Sequence, residues 1–251
     1  MNCFKINQIM TTLSKIIVTT VLSMLMLSCN FSMNLGPGVS GNDNVVTKER
    51  TINGDFDEIK VSNGLDVYLT QDTNEGIRIQ ADENLHDIIM TSVENNILSI
   101  YTKENINYAA SRKVMVSFDA ITKIKATSGC DVYITNTIKA DALELSTTSG
   151  SDMELDIDVT SVTCDASSGS DIKLTGKADN LVAEASSGSD IKAGDLITKT
   201  SEVRASSGAD ITVNATEKLT AKSGSGGDVK YYGNPEKVEK NDSTSGSIRA
   251  L

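Results

Sequence analysis

Seven aspartates share one place in a recurring motif: Asp66, Asp131, Asp152, Asp171, Asp190, Asp210 and Asp228 each follow a glycine by two residues. Carboxylates stacked at close spacing could bridge Ca²⁺, a hard cation that takes oxygen ligands. Asp152, Asp171, Asp190 and Asp210, which stand in consecutive copies, are the candidate ligands. Calcium-loaded β-rolls, however, use a nine-residue unit that supplies ligands from both sides. Here each copy offers one Asp and one Ser, so a structural corner is the first expectation. In that reading Gly takes a positive φ while Ser and Asp bond nearby backbone amides. Like charges stacked this closely repel, so some of these carboxylates should splay into water or pair with Lys. No catalytic residue, metal site or cofactor is assigned.

The other reactive side chains are few. The chain has 251 residues, four Cys and one His. His86 follows Asn84-Leu85 in a polar turn and is expected at the surface. Cys164 falls in an apolar column and Cys130 at a corner two copies earlier, which separates them by more than disulfide reach. The formal net charge is −11, with 4% aromatic residues and no Trp. Nucleic-acid binding needs basic grooves and stacking faces, so that class of partner is set aside.

Cys29 ends an address. Lys5 and Lys15 precede an apolar run over residues 16–27, which closes on Ser28-Cys29. About a dozen apolar residues fall short of the ~20 that span a bilayer. A basic start, a short apolar stretch and a small residue read as a secretory signal. With Cys directly after it, residues 1–28 look like a bacterial lipoprotein signal and Cys29 is the expected lipidation site. Residues 29–44 are rich in Gly, Ser and Asn and read as a flexible tether.

The remaining body, 45–251, is a repeat. Ser-Gly-x-Asp plus an apolar residue recurs with its glycines at 129, 150, 169, 188, 208 and 226. Asn63-Gly64-Leu65-Asp66-Val67 is an outlying copy, and Ser245-Gly246-Ser247-Ile248 is a degraded one. Before each Gly, inward candidates such as Leu145, Cys164, Ala183, Val203 and Ala221 alternate with polar residues. That period of two marks strands with one buried face. A unit of ~20 residues cannot bury its apolar face alone, but stacked units pairing in parallel can. The expected fold is all-β: a single-stranded parallel β-helix with ~20-residue coils and an irregular N-terminal capping region. Right-handed winding follows from the crossover rule. In the last coil the column before Gly246 reads Glu239, Asn241 and Ser243, so the apolar face should give out there.

At this point the chain resembles a known family, the head GIN domain of auto-transporter adhesins found on Bacteroides-type lipoproteins. The matching pieces are residues 56–67 (Phe-Asp-Glu-Ile-Lys-Val-Ser-Asn-Gly-Leu-Asp-Val), residues 81–85 (Ala-Asp-Glu-Asn-Leu), the Ser-Gly-x-Asp series, and residues 227–235. The resemblance implies a β-helical fold and an envelope location. It carries no catalytic or binding residue across. In such lipoproteins an acidic run after the Cys resembles a surface-export signal; residues 30–34 lack one, which leans toward the periplasmic face.

The expected protein is therefore an outer-membrane lipoprotein of a Gram-negative bacterium, on the periplasmic face or the cell surface. It is held to the membrane at Cys29 and presents a β-helix surface to a glycan or a protein. It is not expected to be an enzyme. The alternatives are a carbohydrate-active β-helix enzyme (lyase or hydrolase) and a purely structural periplasmic component. A groove lined by acids and aromatics would favour the enzyme. Tyr68 and Tyr133 share the outward position after Asp-Val, and Tyr231-Tyr232 lie near the other end; covering β surface is their first expected role and sugar stacking the second.

Overall fold

The computed structural model describes residues 38–243 and 245–251; the expected signal, Cys29 and most of the tether lie outside them. The capping region contains β1 (Val39–Ser40), β2 (Val45–Arg50), β3 (Glu58–Ser62), β4 (Asp66–Gln71), β5 (Gly76–Asp82), β6 (Ile89–Glu94), β7 (Ile97–Thr102), β8 (Ile106–Tyr108) and β9 (Arg112–Phe118). The repeat begins with β10 (Lys123–Thr127) and β11 (Asp131–Ile134), then β12 (Ile138–Thr148), β13 (Asp152–Ser167), β14 (Asp171–Ser186), β15 (Asp190–Ser206) and β16 (Asp210–Gly224). It closes with β17 (Asp228–Tyr232), β18 (Lys237–Asp242) and β19 (Ser247–Ala250). Together they form a β-solenoid of about seven turns. Among the described residues no helix is long and apolar enough to cross a membrane.

The stack does not follow chain order at its start. β3 and β4 form a coil that pairs in parallel with β10 and β11 on one side and with β7 and β9 on the other. The chain thus lays one coil, runs outward to build the end, and returns past that coil to continue the stack. The outlying Gly64 copy is in this way the neighbour of the Gly129 copy. At the end itself the pairing turns antiparallel, with β5 between β2 and β9, and β6 on β7.

Each corner uses two left-handed residues. Gly169 has φ 68° and Ser168 before it φ 59°, and every copy from Ser128 to Ser225 repeats the pair. Glycine alone was expected there; Ser shares the conformation, and Asn63 takes its place in the outlying copy. The corner also bonds along the stack: Gly169 N–H donates to Ser187 O at 3.2 Å, and Asp171 N–H to Ser151 O at 3.2 Å. The residue between Gly and Asp turns inward. Leu65, Cys130, Ser151, Ser170, Ser189 and Ala209 are all fully buried there. A buried hydroxyl needs partners: Ser189 Oγ accepts the Ser186 N–H at 3.1 Å and lies 2.8 Å from Ser186 O. Where Ala209 occupies the place, its own N–H closes the turn onto Ser206 O at 3.2 Å.

Inward columns make the core. Val67, Val132, Met153, Ile172, Ile191, Ile211 and Val229 stack in register, each 2% exposed or less. Burying each such side chain is worth about 1.5–3 kcal/mol. Between these corners β13 to β16 run from the Asp of one copy almost to the Ser of the next. The last coil corrects the expected register. Leu219 pairs with Val238 and Ala221 with Lys240, one residue earlier than the Gly spacing predicts. A one-residue slip exchanges the two faces of a strand, so Lys240 rather than Asn241 closes the column, its Nζ 4.9 Å from the Tyr231 ring centre. An inward charge on a terminal strand blocks edge-to-edge association.

Candidate functional site

The aspartate ladder is in register from Asp66 to Asp228, with Ser247 as its last rung. Its carboxylates are engaged by the stack. Asp152 Oδ1 accepts the Asp171 N–H at 3.2 Å, and Asp171 Oδ1 the Asp190 N–H at 3.3 Å. Lys192 Nζ bridges Asp171 (2.7 Å) and Asp190 (3.4 Å), Lys230 Nζ lies 3.5 Å from Asp210, and Ser247 Oγ donates to Asp228 at 2.7 Å. The hydrogen bond to Asp171 is the main reason the Lys192 ammonium sits above its ordinary pKa. Among the described residues, no three His, Cys, Asp or Glu side chains are grouped to hold a metal. Nearest the cap, Asp66 stands opposite Lys113, whose ammonium sits over the Tyr68 ring. Burial raises the Asp131 carboxyl pKa, and repulsion from Asp66 and Asp152 adds to it, against partial relief from Arg112.

The remaining reactive residues are buried. Cys130 and Cys164 are free and buried, and burial pushes both thiols up. His86 is 1% exposed, which overturns its expected surface position. β2 folds over it, bringing Val46 O to 3.2 Å from Nε2, and Arg50 donates to the His86 carbonyl. That cover comes from a strand 40 residues away, beyond any local pattern.

Asp82 is the polar residue that the sequence reading missed. Its carboxylate is fully buried and accepts the N–H groups of Asp43 (2.6 Å), Ala110 (2.8 Å) and Ser111 (3.1 Å). Burial alone would raise its pKa, but these amide hydrogen bonds together hold it below the ordinary value. They pin the incoming chain to the cap, where Val39 pairs with Ile106. The compact unit consequently starts at Gly38, so residues 38–44 belong to the body and not to a flexible tether.

The outer face of the post-Asp strands carries one unbroken row of cross-strand neighbours. It begins at Glu49 and Arg78 on the cap and passes Met115, Tyr68 and Tyr133. It continues through Glu154, Lys173, Lys192, Thr212 and Lys230 to Arg249. At ~4.8 Å per strand the row is roughly 50 Å long. Tyr68 and Tyr133 stack with ring centres 5.2 Å apart, and Lys113 Nζ sits 5.4 Å from the Tyr68 centre. Two grooves open on this face. One, of roughly 520 Å³, lies at the cap end and is lined by Glu49, Arg50, Tyr68, Glu75, Arg78 and Met115 among others. The second, of roughly 500 Å³, lies toward the other end beneath Tyr232. Tyr231 points inward and closes the core, whereas Tyr232 is 44% exposed.

Solved structures share this fold. A "putative adhesin" from Bacteroides fragilis superposes with a TM-score of 0.80 at 21% identity, covering 85% of this chain and 100% of its own. A "putative lipid binding protein" from Parabacteroides distasonis gives 0.69 at 23%, covering 85% and 99%. A "putative adhesin" from Parabacteroides merdae gives 0.69 at 19%, covering 85% and 98%. No functionally curated sequence matches the chain. The family model described as "Putative auto-transporter adhesin, head GIN domain" matches residues 55–235. That span runs from the first coil through the aspartate ladder to the last full corner, and the chain belongs to the head GIN domain family.

Proposed function

We propose that this protein is a binding scaffold of the cell envelope, anchored through Cys29, whose outward row engages a glycan. The row itself carries the reading: an outward row roughly 50 Å long suits an extended polymer. Its chemistry favours carbohydrate over protein. A protein interface has an apolar centre, whereas this row offers tyrosines, hydroxyls and paired charges, with Met115 its one aliphatic side chain. Eight residues lie between Cys29 and Gly38, so a chain anchored at Cys29 reaches the body over about 30 Å at most. Replacing Tyr68 and Tyr133 together by Ala should abolish retention of cells on a polysaccharide-coated surface; undiminished retention would overturn the reading. Protease treatment of intact and lysed cells tests display: digestion only after lysis places the protein on the periplasmic side.

One observation favours a second reading. Glu49 and Glu75 line the cap-end groove beside Tyr68, and paired carboxylates near an aromatic are the equipment of glycoside hydrolysis. Release of new reducing ends from a bound polysaccharide, lost in Glu49→Gln or Glu75→Gln, would establish the enzyme. Binding without turnover would dismiss it.

A further inference from the structure

We propose that the groove beneath Tyr232 is a subsite for a neutral pyranose ring of a polysaccharide. This rests on the glycan-binding reading and gives it a place and a ligand class. The groove arises where the solenoid breaks its own register. β14 and β15 pair through Lys173 and Lys192, then slip so that Thr175 stands opposite Asp195. β15 and β16 slip again, with Ala193 opposite Val213 but Ile197 opposite Asn214. Gly194, Asp195 and Leu196 are therefore extra. Leu196 turns in and is buried, while Asp195 stays exposed. Bulges that re-aim side chains in this way are concentrated beside functional sites.

Two glycines set the ring. A Cβ on Gly194 would come within 3.1 Å of Tyr232 Cε2 and 3.3 Å of Cδ2, so the ring lies over bare backbone. Gly233 follows with φ 86°, and a side chain there would collide with the Ala215 carbonyl. Asn214 Nδ2 donates to Gly194 O at 3.3 Å and fastens the bulge to the next coil. Lys173, Lys192 and Thr212 complete the lining of a groove of roughly 500 Å³, within the range of small-ligand sites.

The chemistry selects the ligand. An aromatic face that is still open to solvent accepts the C–H face of a sugar ring, and the Asp195 carboxylate and Thr212 hydroxyl can bond ring hydroxyls. Charge selects a neutral sugar over an acidic one. Lys173 is held by Glu154 at 2.7 Å, and Lys192 is shared between Asp171 and Asp190. Both ammonium groups of the lining are thus already paired, and the Asp195 carboxylate adds negative charge to the groove, which disfavours a uronic acid.

The test is affinity electrophoresis of the full chain in detergent, through gels holding dextran, mannan, arabinogalactan or polygalacturonate. The wild type should be retarded by at least one neutral polymer and ignore polygalacturonate. Tyr232→Ala should lose about tenfold in affinity or more, on the scale of a lost aromatic contact, while Tyr232→Phe and Ile197→Ala bind as wild type. Circular dichroism checks that each variant is folded. Wild-type binding unchanged in Tyr232→Ala overturns this subsite and leaves the glycan reading standing. Binding of polygalacturonate alone overturns the neutral-sugar assignment. Retardation by none of the polymers, which leaves a protein as the partner, overturns both.

Discussion

Asp66 and Asp131 are 65 residues apart in the chain and adjacent in the ladder, paired Cα to Cα across β4 and β11. Between them β5 to β9 build the end and β10 resumes the stack. The solenoid is thus begun by one coil, closed behind it, and then extended in the other direction. That order also puts three carboxylates together, Asp66, Asp131 and Asp152, with Arg112 giving Asp131 partial relief.

Repulsion at that end has a signed consequence. The Asp131 carboxyl pKa is raised in the folded protein, by burial first and by Asp66 and Asp152 next. A raised carboxyl contributes stability that is full below its unfolded pKa, near 3.8, and is lost as pH rises through the folded value. Asp131→Asn should therefore hold or raise the melting temperature at pH 7. Asp171→Asn, which loses Lys192, should lower it. Thermal melts of both variants decide the matter, and equal effects would contradict the ladder energetics.

Asp82 behaves with the opposite sign. Burial opposes its ionisation, but the amide hydrogen bonds win and its folded pKa is depressed. Its contribution is present above the unfolded value, near 3.8, and is lost as pH falls through the folded one. Asp82→Asn at pH 7 should speed exchange of the Asp43, Ala110 and Ser111 amides by about tenfold or more, the scale of losing bonds to a charged acceptor. Acid should lower the protection factors of the same amides in the wild type, measured against the intrinsic rate at each pH. Exchange unchanged by either would mean the carboxylate does not hold residues 38–44.

Corner glycines should divide into two classes. No heavy atom lies within 4 Å of a Cβ built on Gly169, so Gly169→Ala costs only the strain of a left-handed residue, about 1–2 kcal/mol. Gly227 stands at the inward place, where a Cβ would lie 2.6 Å from the Ala205 carbonyl carbon. Gly227→Ala should be the worse by denaturant unfolding, and the reverse order would contradict the corner geometry.

Both thiols should be inert in the native state. Cys130 and Cys164 are buried and their pKa values are raised, so iodoacetamide should label neither at pH 8 until the protein is unfolded. Labelling of folded protein at Cys164 would contradict its place in the core.

The coils were legible because each column repeats one residue type at one spacing, and a strand with one wet face writes its period into the chain. Long-range cover was not. Nothing near His86 announces β2 above it, and nothing near Asp43 announces the Asp82 carboxylate. The last coil misled because Gly246 matches the motif by type, while Ser247 pairs with Asp228 and sets the register one residue away. Tyr232 was visible as an aromatic, but the groove beneath it depends on a slip between β15 and β16 that only pairing reveals.

The central claim is that the face built by the post-Asp strands meets the ligand. Hydrogen exchange with and without a retained polysaccharide tests it directly. Protection should gather on β4, β11, β17 and the Asp-proximal halves of β13 to β16. Protection on β3, β10 and the Ser-proximal halves instead, or on neither face, would contradict the account.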